Sequence, residues 1–498
     1  MSRKSQREIE NVNQKDKKSR RREEKAARKE EKRGNTQVLI ITYCVVAVFL
    51  GMIGYLVYFM AVDADEVINN PYNKRQELLA KRTVRGTIYS SDKKVLAKTE
   101  TGKDGSEKRY YPYNDVFCHA VGRIDNSMTG VELSQCYPLL TSHSNPLKQL
   151  INIFRGEKNQ GDNVITTLDA GLQKIAYDAL GGYKGAVVAL EPSTGKILTM
   201  LSKPDYDPNT VLQEWDELVE DSEDNSALLN RATQGLYPPG STFKIMTAME
   251  YIMENKETYK KYRYICNGSD SFDGNNINCY GGESHGALDL KNSFAKSCNT
   301  SFANIGVGLN ISSFRKLCER FGFNKKIKLG FENNKSSFVL DNKSDKGEIV
   351  QTAIGQGKTQ ITPMFNAMIT SALANNGEMM RPYIVDHTEN EAGRVVKQYN
   401  PDSMGQIVDK SVAGIMKRLM KEVVNSGTGT SLSGLPYQVA GKTGSAEFDE
   451  EGTSHAWFVG FAPANNPKIA VSIVVEGAGT GSQYAIPIAK KMFEEYLG

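Results

Sequence analysis

In "YPPGSTFKIMTAMEY", residues 237–251, a serine and a lysine stand three positions apart, and their types suit covalent catalysis. A serine hydroxyl is a weak nucleophile until a neighbouring base takes its proton, and a lysine can be that base once its ammonium group is neutral. Ser241 and Lys244 would share a face of a helix. Pro238, Pro239 and Gly240 fix where that helix begins, so Ser241 falls near its N-terminus, where free backbone N–H groups favour developing negative charge. The spacing alone decides nothing, because S-x-x-K also starts at Ser90, Ser91, Ser193, Ser293 and Ser313. An ordinary first helical turn explains the pair equally well at this point.

Two further motifs change that balance. "SCN" at Ser297–Asn299 is the only S-x-N in the chain, and it offers a hydroxyl to relay a proton and an amide to grip a peptide backbone. "KTG" at Lys442, Thr443 and Gly444 is the only K-T-G, and it opens "GKTGSAEF", which has the look of an edge strand able to pair with an extended peptide. Lys442 would add a fixed positive charge for a substrate carboxylate. A solvated Ser-Asn pair and a turn lysine are the plainer explanations. For Lys244 to serve as a base near pH 7, the ordinary lysine pKa of about 10.4 must fall by roughly 3 units, or about 4 kcal/mol. Burial and a second cation at Lys442 both push that way.

The elements that must position these residues can be read from the patterning. "GAVVALEPSTGKILTMLS" from Gly185 reads as a hairpin, and "HAWFVGFAP" with "KIAVSIVVEG" as a second strand pair around "ANNP", followed by a terminal helix in "AIPIAKKMFEEYLG". Helical patterns lie between, in "STFKIMTAMEYIMEN", "LDLKNSFAKSCNTSFANIGVGL" and "QITPMFNAMITSALANNG". The fold class expected is α+β, an antiparallel sheet closed by the two ends of the domain with a helical lobe packed on it. From residue 63 to 183 short strands, polar turns and an Asp169-led helix ending at Gly181-Gly182 suggest one small mixed domain.

The chain of 498 residues carries 62 basic and 58 acidic side chains for a net charge of +4, which shows no bias towards nucleic acid. Its basic excess is local: residues 1–37 hold 14 Lys or Arg against 7 Asp or Glu and read as a disordered or loosely helical tail. Val38–Val62 contains no charge, and 25 helical residues at about 1.5 Å each span roughly 37 Å, enough for a bilayer core of about 30 Å. With basic residues before it and "DADE" after, the tail is expected in the cytoplasm and the remainder outside. Cys44 lies in that span, leaving six cysteines beyond it, of which Cys266 and Cys279 could form a disulfide or stay as thiols. His119, His143, His285, His387 and His455 are scattered without metal-ligand spacing, so no metal and no cofactor is expected.

Taken in order, the three motifs resemble those of the penicillin-recognising serine transpeptidases, and more narrowly a class B penicillin-binding protein. The resemblance extends to "RGTIYSSDKKVLA", "GAVVALEPSTGKILTMLSKPDYDPN", "NRATQGLYPPGSTFK", "HGALDL", "AIGQGKTQITPM" and "HAWFVGFAP". It departs at "SSDKK", where the family usually has an Asp-Arg-Asn-Gly-like turn, and Cys298 fills the variable middle of S-x-N. It implies a fold like that of the serine β-lactamases, preceded by a membrane helix and a pedestal, divided as tail 1–37, span 38–62, pedestal or dimerisation-like domain 63–183 and transpeptidase domain 184–498. Ser241 would be the acylated nucleophile, Lys244 its base, Ser297 the proton relay to the leaving group and Asn299 a donor-peptide ligand. Lys442 and Thr443, with Gly444 completing the motif, would hold the terminal carboxylate, and the N–H groups of Ser241 and Ser445 would form the oxyanion hole. The donor implied is a peptidoglycan stem peptide ending in D-Ala-D-Ala, mimicked by β-lactams. A multi-pass membrane glycan polymerase is the partner implied. The segment from Asp63 to Tyr183 shows no glycosyltransferase glutamate motif, which argues against a bifunctional class A enzyme. A D,D-carboxypeptidase or a catalytically silent cell-wall scaffold are the alternatives.

Overall fold

A computed structural model describes residues 3–62, 75–220, 226–447 and 453–498. The acidic stretch after the span, residues 63–66, and Phe448 at the end of the expected edge strand lie outside them. The chain divides into two compact units, Met1–Asn70 and Pro71–Gly498.

The described residues of the first unit form one helix, Arg3–Val62. The polar tail is therefore helical, not disordered. Its Lys, Arg, Glu and Ala residues are good helix formers, and pairs such as Asp16 and Arg20, 4.0 Å apart, add i,i+4 support. The apolar part is long enough to cross a membrane, with a mean hydropathy of 2.4 in its most apolar window.

In the second unit, Lys442, Thr443, Gly444 and Ser445 stand on a five-stranded antiparallel sheet. Its order is Ala440–Glu447, Ser454–Ala462, Ile469–Val475, Gly185–Leu190 and Ile197–Lys203, so segments from both ends of the domain meet at its centre as the patterning suggested. Side chains alternate between faces along a strand. Trp457, Val459 and Phe461 join the core on one face, with Met364 and Met368 of the helix Pro363–Ala374. Ala456, Phe458 and Ala462 point the other way, into a second core with Leu172 and Ala176 of Ala170–Leu180 and Ile486, Ala489 and Phe493 of Gly481–Leu497. A sheet buried on both faces is held rigidly, and Ala440–Glu447 is its edge.

The helical lobe departs from the sequence pattern at one point that matters. "LDLKNSFAKSCNTSFANIGVGL" is two helices, Leu290–Ala295 and Asn299–Gly308, separated by a turn in which Ser297 has a positive φ of 57°. Cys298 caps the second helix, its sulfur accepting the Ser301 N–H. The break lifts Ser297 out of the helix body.

Towards the N-terminal side, a six-stranded mixed sheet runs Val395–Gln398, Val385–Glu389, Asn163–Thr166, Ile88–Tyr89, Val95–Thr101 and Glu107–Tyr110. Two of these strands come from beyond residue 184 and return to pair with the earlier segment. The sheet's neighbourhood holds a buried ion triad: Glu132 receives Arg85 Nε at 2.6 Å and Arg109 Nε at 2.7 Å on its two oxygens.

Candidate active site

The segment that carries Ser241 begins as a tight helical turn, Gly240–Phe243, and continues as the helix Lys244–Glu254. It is anchored on several sides. Phe243 drops into an aromatic cluster with Phe314, Phe323 and Phe338, ring centres 5.9–6.0 Å away. Thr242 Oγ1 donates to Pro239 O at 2.7 Å and accepts from Asn366 Nδ2 at 3.2 Å, and Trp457 Nε1 donates to Pro238 O at 3.2 Å. Gly240 donates its N–H to Gly355 O at 2.9 Å. Gly355 has a φ of +87°, and a Cβ there would strike the Gly240 carbonyl, so two backbones meet with no room for a side chain. Ser241 is left half-buried at the head of the turn.

Lys244 is fully buried and its Nζ is the hub of the site. It lies 2.9 Å from Ser241 Oγ, 2.7 Å from Ser297 O, 3.3 Å from Ser297 Oγ and 2.6 Å from Asn299 Oδ1. Lys442, also fully buried, donates from the opposite side to Ser297 Oγ at 2.9 Å and to Thr443 O at 2.9 Å. Ser297 Oγ thus sits between two lysine nitrogens. Asn299 is oriented by its own Nδ2, which donates to Asn278 O at 2.9 Å.

No carboxylate among the described residues pairs with either lysine, so burial dominates their titration. It brings Lys244 down to about 7, with the Cys298 and Cys279 sulfurs opposing the shift. Lys442 is lowered well below its ordinary value, first by burial and then by the charge on Lys244. Two buried ammonium groups that share one serine hydroxyl repel each other, so the site disfavours carrying both charges at once.

Thr443 is buried beside Thr428, their hydroxyls 2.5 Å apart, and Gly444 backs onto the turn that carries Ser241, where a Cβ would stand 3.1 Å from Thr242 Cγ2. Ser445 lies on the same edge strand, half-exposed. Hydrogen bonds therefore link Ser241, Lys244, Ser297, Asn299 and Lys442 directly, and the edge strand brings Thr443, Gly444 and Ser445 alongside. Motif reasoning passed over Gly355, Thr428, Asn366 and Trp457. The first lies in "AIGQGKTQ" and the last in "HAWFVGFAP", stretches that carried the resemblance without being given a role.

Of the two states open to Cys266 and Cys279, the structure shows thiols, and it adds a grouping that the sequence did not suggest. Cys266 and Cys279 are free thiols, their sulfurs 3.7 Å apart. With His285 and Cys298 they form a group whose ligand atoms all lie within 4.8 Å of one another. Ligand spacing along the chain concealed this, because the loop folds back on itself.

The family described as the penicillin binding protein transpeptidase domain matches residues 185–497. The chain is 31% identical over 459 residues to the peptidoglycan D,D-transpeptidase PbpA of Mycolicibacterium smegmatis, covering 86% of this chain and 92% of that one. It is 29% identical over 452 residues to the peptidoglycan D,D-transpeptidase MrdA of Acinetobacter baumannii, covering 78% and 66%. Among solved structures, the ceftriaxone acyl-enzyme complex of penicillin-binding protein A from M. tuberculosis superposes with a TM-score of 0.77 at 30% identity, over 84% of this chain and 99% of that one. Motif order, fold and these matches agree: the chain belongs to the penicillin-binding protein transpeptidase family, as a class B penicillin-binding protein and a D,D-transpeptidase.

Proposed function

We propose that the chain is a membrane-anchored peptidoglycan D,D-transpeptidase that works through a Ser241 acyl-enzyme. Lys244 Nζ takes the Ser241 hydroxyl proton across their 2.9 Å contact, and Oγ attacks the carbonyl carbon of the penultimate D-Ala. The N–H groups of Ser241 and Ser445 receive the oxyanion. As the C–N bond breaks, Ser297 passes a proton to the departing D-Ala amine. The amine of a second stem peptide then takes the acyl group, its proton leaving by the same route. Asn299 holds the donor backbone, and Lys442, Thr443 and Gly444 form the carboxylate site. An incoming carboxylate would restore the charge that burial removes from Lys442.

The observation that carries this reading is Lys244, fully buried, lowered to about 7 and in reach of both serines. We further assign residues 1–37 to a cytoplasmic tail, 38–62 to the span, 63–183 to an extracytoplasmic pedestal facing a multi-pass glycan polymerase, and 184–498 to the transpeptidase domain. The direct test is labelling of the detergent-solubilised full chain with fluorescent penicillin, beside Ser241→Ala. Stable label on the parent and none on a folded variant is the expected result. Label on Ser241→Ala would reject the nucleophile, and rapid loss of label from the parent would favour hydrolysis.

A further inference from the structure

Beside the Ser297–Asn299 turn lies the group formed by Cys266, Cys279, His285 and Cys298, three of them 0–3% exposed. Its geometry is not that of a disulfide, which needs sulfurs about 2.05 Å apart. The Cys266–Cys279 and Cys279–Cys298 sulfur pairs are each 3.7 Å apart, and His285 Nδ1 is 3.3 Å from Cys266 Sγ. A tetrahedron with metal–sulfur bonds of about 2.3 Å has edges of about 3.8 Å, close to these separations. The sulfurs are too near one another to enclose an iron–sulfur cluster, so the spacing selects a single ion. Three thiolates and one imidazole in a tetrahedron are a donor set suited to zinc.

The surroundings complete the arrangement. Thr300 Oγ1 lies 3.4 Å from Cys266 Sγ and 3.4 Å from Cys298 Sγ. The Ser301 N–H donates to Cys298 Sγ at 3.4 Å at the head of the helix Asn299–Gly308, which favours a thiolate there. His285 turns its other ring nitrogen towards Glu283, 4.0 Å away. We propose that Cys266, Cys279, His285 and Cys298 bind one structural zinc ion, tying the strands Tyr264–Cys266 and Gly286–Leu288 and the end of Asn275–Asn278 to the turn that carries Ser297 and Asn299. Binding converts three thiols to thiolates, releasing three protons to solvent, with the imidazole neutral. In an oxidising compartment the ion would also keep the close Cys266–Cys279 pair from forming a disulfide.

The test is the metal content of the full chain, purified in detergent under reducing conditions without chelator, beside Cys279→Ser and His285→Ala. The expected result is about one zinc per chain in the parent and a loss of at least about tenfold in Cys279→Ser. Because that variant can fail to fold, the unsubstituted chain carries a second arm: stripped of metal, it should give the intense visible bands of a tetrahedral thiolate site with cobalt(II) and regain its Tm with zinc. Zinc retained by folded Cys279→Ser would overturn the proposal. So would a reduced parent that neither contains zinc nor takes it up, or a native Cys266–Cys279 disulfide whose reduction gives no zinc binding.

Discussion

Two regions of this molecule bury charged side chains, and they do it in opposite ways. Beside the six-stranded sheet, Arg85 and Arg109 clasp Glu132, which is fully buried. Burial pushes the Glu132 carboxyl up, but the two guanidinium groups outweigh it and hold the group below its ordinary value. At the candidate active site Lys244 and Lys442 are equally buried, yet they share a serine hydroxyl and no carboxylate among the described residues pairs with either. The first arrangement keeps its charges and serves the fold. The second discards charge, which is what a base at neutral pH requires.

The largest effect on this contrast should come from restoring permanent charge at the site. Lys244→Arg cannot lose its proton near neutral pH, so penicillin acylation should fall by about 10²–10⁴-fold while the unfolding transition persists. Normal acylation in a folded variant would remove Lys244 as the base. In the other region, Glu132→Gln leaves two buried guanidinium groups without a counter-charge, and denaturant unfolding should show a loss of about 3–5 kcal/mol. An unchanged midpoint would mean that the triad is not closed in solution.

The sign of the pH response sharpens the comparison further. Acylation should rise with pH through about 7 as Lys244 loses its proton, read from labelling rates. Because the folded value lies below that of the unfolded chain, Lys244 lets stability rise from about 7 towards the ordinary lysine value of about 10.4. Lys244→Met should flatten that rise and lift Tm at pH 7, while labelling is lost; a lowered Tm would show that its hydrogen bonds outweigh its burial. The smallest effect belongs to an exposed pair. Asp178→Asn removes the i,i+4 bridge from Lys174, 2.5 Å long and half in solvent, and unfolding should change by about 0.3–0.5 kcal/mol at most.

What could be read in the sequence was contiguous. The Ser241–Lys244 pair, "SCN", "KTG" and the strand alternation in "HAWFVGFAP" are each short enough for spacing to carry meaning, and the sheet follows from them. Three features were not legible. The helix break at Ser297 depends on a positive φ that the apolar pattern does not register, since Phe294 and Phe302 stay in one core across it. The return of Val385–Glu389 to the N-terminal sheet pairs residues far apart in the chain. Cys298 looked like a filler between two motif residues, and its neighbours Cys266, Cys279 and His285 arrive from a loop whose path no local spacing specifies.

The contact between Gly240 and Gly355 bears on how this target can change under drug pressure. A Cβ at Gly355 would strike the Gly240 carbonyl and one at Gly240 the Ser445 carbonyl, so a side chain at either glycine must shift the backbone that adjoins Ser241. Substitutions that weaken β-lactam binding are therefore expected away from these two glycines, because the backbone packing behind the serine serves drug and substrate alike.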